Sequence, residues 1–448
     1  MNKSRKIISL LLALALILSL AACSSGDQGS TASQQGSETE VTTGSDDGLK
    51  GEITFVAWGS DAEIACDEKA CKAFEALHPG TTVKFEALND SYSTTVETRY
   101  LGGQSPDVIY GHPQTLLTWM QNGMLMPITD VYDSHDDLWD ESVFFTNLYD
   151  SYKFDGEYYA IPVGADTFVV YYNKTMFDAA GVPYPTKDTT WDEFAKMMEA
   201  VTERDTDGTP ITVGLDGLTG YWQYILYSMG GKVLDNMNDP HEVVFESPEA
   251  LKMLTWINDN YTEANGFYAN ENDWTYLAGG FSGNEVGAFM DGVYDIVWLS
   301  GIEDFEWDIA PLPGTMSKEG DTPILYAGYA VSSKSDNPEL AKEFAYFMSS
   351  YDAQVIMAET GLITSCRKDV AYSDQVLNIQ GGPANHRLRV DNIPYGQNVQ
   401  GQCLCWWEIT DVVGNEIYKM VHGEQTPQET MTAIQTQASA LLSAELNK

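Results

Sequence analysis

The strongest constraint on this chain is a regular alternation of short apolar strands with amphipathic helices that begins at Glu52. Glu52-Ile53-Thr54-Phe55-Val56-Ala57-Trp58 reads as a strand, Gly59-Ser60-Asp61 as a turn, and residues 62–77 as a helix closed by His78-Pro79-Gly80. A strand at 82–87, a helix at 93–101 and the strand Asp107-Val108-Ile109-Tyr110 follow. Strands separated by helices join in parallel through crossovers, and ligands settle at the carboxyl edge of such sheets. The turns after Trp58 and Tyr110 fall on that edge. Further along, 168–174, 286–290 and 327–332 read as strands. Thr190 and Glu193 form a capping-box pattern at a helix start. Residues 221–229, 248–260, 338–349, 409–422 and 427–446 read as helices. The roughly 400 residues from Gly51 onward suggest two domains rather than one.

The segment before this core has a different logic. Lys3, Arg5 and Lys6 precede a mostly apolar run, 7–20, and then Leu20-Ala21-Ala22-Cys23. The run is shorter than the roughly 20 residues needed to span hydrocarbon, and its flanks fit a secretory signal. The Leu-Ala-Ala-Cys sequence resembles a bacterial lipobox, which implies removal of residues 1–22 and acylation of Cys23. Residues 23–48 are almost devoid of apolar side chains and are expected to form a disordered tether with a reach on the order of 30 Å. The expected location is therefore the outer face of the cytoplasmic membrane, lipid-anchored.

Lys and Arg number 24 against 66 Asp and Glu, a net charge of -42. Removal of the signal makes the mature chain three units more negative. A polyanion is repelled by such a field, which argues against nucleic acid as a partner. Beyond Cys23 stand Cys66, Cys71, Cys366, Cys403 and Cys405, an odd count that cannot pair completely. Cys66 and Cys71 share one helix at a spacing too long for a disulfide. Cys403-Leu404-Cys405 lacks the Cys-x-x-Cys spacing of a redox or zinc motif. No pair of His residues has metal spacing, so no metal or other cofactor is expected.

Val-Tyr-Tyr-Asn-Lys-Thr-Met-Phe-Asp-Ala-Ala-Gly at 170–181, with Pro183 and Thr190-Trp191-Asp192-Glu193-Phe194 behind it, resembles the solute-binding proteins of bacterial carbohydrate ABC importers, of the maltodextrin-binding type. Ser105-Pro106-Asp107-Val108-Ile109, Gly287-Ala288-Phe289-Met290-Asp291-Gly292, Gly328-Tyr329-Ala330-Val331-Ser332, 337–344 and 423–429 agree in order and separation. The resemblance implies an α/β class, a two-lobed periplasmic-binding-protein-like fold. Each lobe is then a mainly parallel sheet flanked by helices, with the ligand in the interlobe cleft. Lobe one is expected at 49–162 plus 325–364 and lobe two at 163–324 plus 365–448, with hinges near 161–165, 324–328 and 363–367. The implied partners are a sugar or oligosaccharide and a membrane permease with its ATPase, and a monomer is expected.

A sugar offers hydroxyls at its rim and C–H patches on its faces, so its site needs aromatic platforms among fixed hydrogen-bonding groups. Trp58, Ser60 and Asp61 qualify by their place on the sheet edge. The resemblance adds Gly111, His112 and Gln114 after the third strand, and Asp166 past the first hinge. From lobe two it adds Tyr221, Trp222, Asp291, Tyr294, Trp406 and Trp407. Tyr329 and Arg367 stand near the second and third hinges. Two other readings remain open: a secreted glycoside hydrolase using Asp166 and Asp291, and the same fold binding a cationic solute such as a polyamine. Serine-hydrolase, zincin and P-loop signatures are absent from the sequence.

Overall fold

The computed structural model describes residues 48–208, 210–261, 277–315 and 321–447. The expected leader, Cys23 and the tether short of Gly48 lie outside the described residues. Eleven strands are described: β1 Gly51–Ala57, β2 Thr81–Ala87, β3 Val108–Gly111, β4 Lys153–Phe154, β5 Glu157–Tyr158, β6 Ala160–Asn173, β7 Val213–Leu215, β8 Val286–Gly292, β9 Trp307–Pro311, β10 Thr322–Val331 and β11 Gly396–Asn398. β4 and β5 form a separate hairpin. The others make one sheet in the order β2-β1-β3-β10-β6-β8-β7, with β11 on β10 and β9 on β6.

The sheet is mixed, which corrects the expectation of mainly parallel pairing. β1 is parallel to β2 and β3, β7 to β8, and β11 to β10. At the centre, β10 runs antiparallel to β3 and β6, and β6 runs antiparallel to β8 and β9. The reason lies in the path of the chain. β6 leaves the first half for the second and β10 comes back beside it, so the two point in opposite directions.

Side-chain burial separates the halves. Ala160, Ile161, Val163 and Ala165 of β6 pack in a core with β1, β3 and β10, to which Cys366, Val390 and Ile393 also contribute. From Phe168 the same strand alternates between two other cores. Phe168, Val170 and Tyr172 face one that includes Trp222, Trp406 and the helix Pro427–Leu446, while Val169 and Tyr171 face another with Phe289, Ile296 and Trp307. Alternate residues of a strand point to opposite faces, so a strand buried on both carries an unbroken apolar run. Val-Val-Tyr-Tyr at 169–172 is that run.

Local signals in the sequence account for the helices around this sheet. The helix Asp61–Leu77 starts at a capping box between Ser60 and Glu63, and Trp191–Val201 at one between Thr190 and Glu193. Thr426 and Glu429 do the same for Pro427–Leu446. Among the described residues the five cysteines are unpaired, and no helix is long and apolar enough to cross a membrane.

Trp406 opens the helix Trp406–Val421 and is 0 % exposed. Trp406→Ala is expected to cost about 3–5 kcal/mol, the range for truncating a large buried aromatic. Urea unfolding measures this, and an unmoved midpoint removes Trp406 from the core.

Candidate functional site

A cavity of about 540 Å³ opens where both halves meet the β6–β10 passage. Trp58, Gly59, Ser60, Glu63, Asn89, Tyr110 and His112 line it from one side, Tyr294 and Trp298 from the other. Gly164, Asp166, Leu325, Tyr326, Ala327, Leu362 and Ile363 belong to the connecting segments.

Trp58 leaves the end of β1 half-buried, with its indole edge-on to Tyr92 and Tyr110 at centroid distances of 4.6 Å each and 5.2 Å from the His112 ring. Tyr92 is itself fixed, its hydroxyl donating to the Tyr110 carbonyl at 2.7 Å. The tryptophan is therefore a braced platform. Beside it Asn89 Oδ1 accepts from Gly59 N at 3.0 Å, and Glu63 accepts from Ser60 N at 2.7 Å and from Ser60 Oγ at 2.9 Å. His112 Nδ1 lies 3.0 Å from the Tyr326 carbonyl oxygen, and burial lowers the ring's pKa. A carbonyl can only accept, so Nδ1 carries the proton and the neutral ring keeps Nε2 as an acceptor.

Asp166 lies on the stretch of β6 between the cores. Thr364 N and Oγ1 donate to its Oδ1 at 3.3 and 3.4 Å. Burial pushes its carboxyl up to about 7, against the opposing pull of Arg389 and the Thr364 hydrogen bonds. Arg389 is fully buried, donates from Nε to Thr364 Oγ1 at 3.1 Å and from Nη2 to the Gly361 carbonyl at 2.9 Å. The close approach of this segment explains Gly164: a Cβ there would lie 2.0 Å from Ile363 Cγ2 and 2.8 Å from the Thr364 carbonyl. On the far wall Asp291 Oδ1 accepts from Tyr294 OH at 2.5 Å and from Gly292 N at 2.7 Å, which fixes the phenol.

Trp58, Ser60, His112, Asp166 and Tyr294 are thus brought together, while ten other expected residues do not line the cavity. Asp291 touches it only through Tyr294. Asp61 is exposed in the first turn of its helix, and Gly111 is buried in β3. Gln114 is buried, its Nε2 donating to the Cys403 carbonyl at 3.0 Å across the two halves. Tyr221, Trp222, Tyr329 and Trp406 are buried core side chains. Their helix or strand periodicity turns the ring inward. Arg367 pairs with Asp369 at 2.9 Å over the Phe144 ring, and Trp407 is 55 % exposed. Trp298 was missed although a signal existed: it stands four residues after Tyr294, one helical turn along, in Asp295–Leu299. Arg389, which supports Asp166, has no local sequence cue.

The pattern of the family described as bacterial extracellular solute-binding protein matches residues 60–355, and the chain belongs to that family. It is 33 % identical over 171 residues to a multiple sugar-binding protein of Streptococcus mutans, a match covering 37 % of each chain. It is 28 % identical over 360 residues to a diacetylchitobiose binding protein of Streptomyces coelicolor, covering 76 % of this chain and 77 % of that one. The fold matches an ABC substrate-binding protein of Listeria monocytogenes, solved in complex with cycloalternan, with TM-score 0.73, 23 % identity, 88 % of this chain and 100 % of that one. The two-lobed architecture is shared.

The Asp166 carboxyl is protonated in the folded chain and ionised in the unfolded one between about pH 4 and 7. Its contribution to stability is therefore complete below its ordinary value of 3.8 and is lost as the pH rises through 7. Chemical unfolding of Asp166→Asn across that range is expected to lack this decline. Parallel profiles for variant and parent contradict the assignment.

Proposed function

We propose that this protein captures a sugar or oligosaccharide in the cleft and delivers it to an ABC permease, without turning it over. The observation that carries the reading is the pairing of aromatic faces from both halves, Trp58 on one wall and Tyr294 with Trp298 on the other, around fixed hydrogen-bonding groups. Trp298 is 64 % exposed, an unusual amount for an indole. A sugar stacked on one wall and hydrogen-bonded to the other favours the arrangement in which both walls meet it, so ligand shifts an open–closed equilibrium. The relatives named for binding sugars and diacetylchitobiose support the ligand class.

The lobes of this reading are 49–162 plus 325–364 and 163–324 plus 365–448, turning on the segments around Gly164, Ala327 and Ile363, with Cys366, Val390 and Ile393 of the last stretch packed in the first core. The binding set is Trp58, Ser60, His112, Asp166, Tyr294 and Trp298, with Asn89 and the Tyr326 backbone beside them. Acylation at Cys23 holds the protein, as a monomer, on the outer membrane face near its permease. The chain's acidity does not turn the cleft into a cation trap. Glu63 is occupied by its helix cap, and Asp166 is held towards neutrality by burial.

Calorimetry against maltodextrins, chitooligosaccharides and polyamines tests the reading. Saturable sugar binding with no product formed is expected; polyamine binding without sugar binding, or slow hydrolysis, replaces it. Stacking contributes about 1 kcal/mol or more beyond burial. Trp298→Ala and Trp58→Ala are therefore each expected to weaken the bound sugar about tenfold, and an unchanged Kd for either takes that ring out of the site.

A further inference from the structure

Cys403, Cys405 and Glu445 converge at a point that contributes nothing to the sugar cavity. The two sulfurs and a carboxylate oxygen lie within 4.8 Å of one another. Glu445 occupies the last turn of the helix Pro427–Leu446, and its two oxygens accept Leu404 N at 2.7 Å and Cys405 N at 2.8 Å. Those bonds clamp the carboxylate over the Cys-x-Cys loop yet leave each oxygen a second lone pair. The thiols meet each other and are not joined in a disulfide.

A second feature belongs to the same place. Cys403, Glu445 and Gln402 line one cavity of about 850 Å³. Gln402 is 7 % exposed, and neither its amide nitrogen nor its amide oxygen has a partner among the described residues. Buried polar groups are nearly always paired, so an amide left open at both ends in the cavity that Cys403 and Glu445 also line points to something bound there.

We propose that Cys403, Cys405 and Glu445 bind a thiophilic divalent cation of the zinc class, in a site separate from the sugar cleft. The donor set decides the class. Calcium and magnesium take oxygen ligands, whereas zinc accepts mixed sulfur and oxygen donors in a tetrahedron. Zinc–sulfur bonds of about 2.3 Å place neighbouring donors under about 4 Å apart, so the donors, within 4.8 Å of one another here, draw in by at most about 1 Å as the ion binds. Each thiol releases one proton to solvent as its sulfur joins the metal, and the Gln402 amide oxygen or a water completes four-coordination. The spacing hid the site from sequence reading, because the third ligand arrives from a helix end forty residues later.

The Cys403 carbonyl is also the acceptor for Gln114 of the opposite half. An ion held by the flanking thiols fixes that acceptor in place, which joins metal occupancy to the contact between halves.

The test uses the full-length chain, reduced and stripped with a chelator, titrated with cobalt(II). A thiolate-to-cobalt absorption band saturating at one equivalent is expected, bleached by zinc. Cys405→Ser is expected to abolish the band. Glu445→Gln is expected to weaken cobalt binding at least as much as the about tenfold that loss of an outer partner costs. No band in the parent protein overturns the proposal without reference to any variant's folding. A band that survives in Cys403→Ser/Cys405→Ser also overturns it by assigning the metal to other thiols. So does mass spectrometry that finds the pair closing to a disulfide in air while the reduced form takes up no metal. Sugar calorimetry on the metal-free samples is a separate readout, so a failure of the metal site and a failure of sugar binding are told apart.

Discussion

The backbone pairing of β6 with β10 is the interaction on which the rest of this structure depends. From Ile324 opposite Thr167 to Ala330 opposite Ala160, the two strands stay in register through the passage between the cores, interrupted by one shift at Ala327 and Gly328. An antiparallel ribbon can twist and coil without giving up its hydrogen bonds, and an irregularity in the ladder is where bending concentrates. The third connecting segment lies directly upon the ribbon, since Ala165 N donates to the Thr364 carbonyl at 2.8 Å and Gly164 leaves no room for a side chain between them. All three connections therefore meet in one place. That place is also the floor of the cleft, so whatever fills the cleft touches the segments that set the angle between its walls.

The chemistry of the cleft is quieter than the charge of the chain suggests. The chain carries a net charge of -42, yet the carboxylates at the cleft are tied down. Glu63 serves a helix N-terminus, Asp291 accepts a phenol and a backbone N–H, and Asp166 is raised by burial and met by Thr364. His112 is kept neutral by burial. What remains is a set of dipoles and ring faces, suited to a neutral, hydroxylated guest.

Much of the fold could be read directly from the sequence, for physical reasons that also explain the failures. The helix start at Trp191 was legible because a capping box is local chemistry between residues three apart. β1, β2 and β3 were legible because their apolar runs end in turn residues. The two longest strands were read short at the ends that matter. Pro162 and Gly164 in β6, and Pro323 in β10, carry the marks of a loop, and pairing with strands far away in the sequence keeps these stretches extended. The site divided in the same way. Trp58 followed from its place at a sheet edge, whereas Tyr221, Trp222, Tyr329 and Trp406 followed from family position. Which face of an element turns inward depends on packing between distant segments, and all four face the core. Arg389 had no cue, since its role arises from Asp166 and Thr364 meeting it in space.

The composition of the first core has a consequence for how the protein is made. Its members run from Ile53 to Ala165 and resume at Ile324, ending with Ile393. A growing polypeptide therefore emerges with that core unfinished until nearly nine-tenths of its length exists, and the central partner of β3 is among the missing pieces. Stable structure is postponed by topology itself. Such a chain stays threadable during synthesis and acquires its final shape only once the last third is free to return.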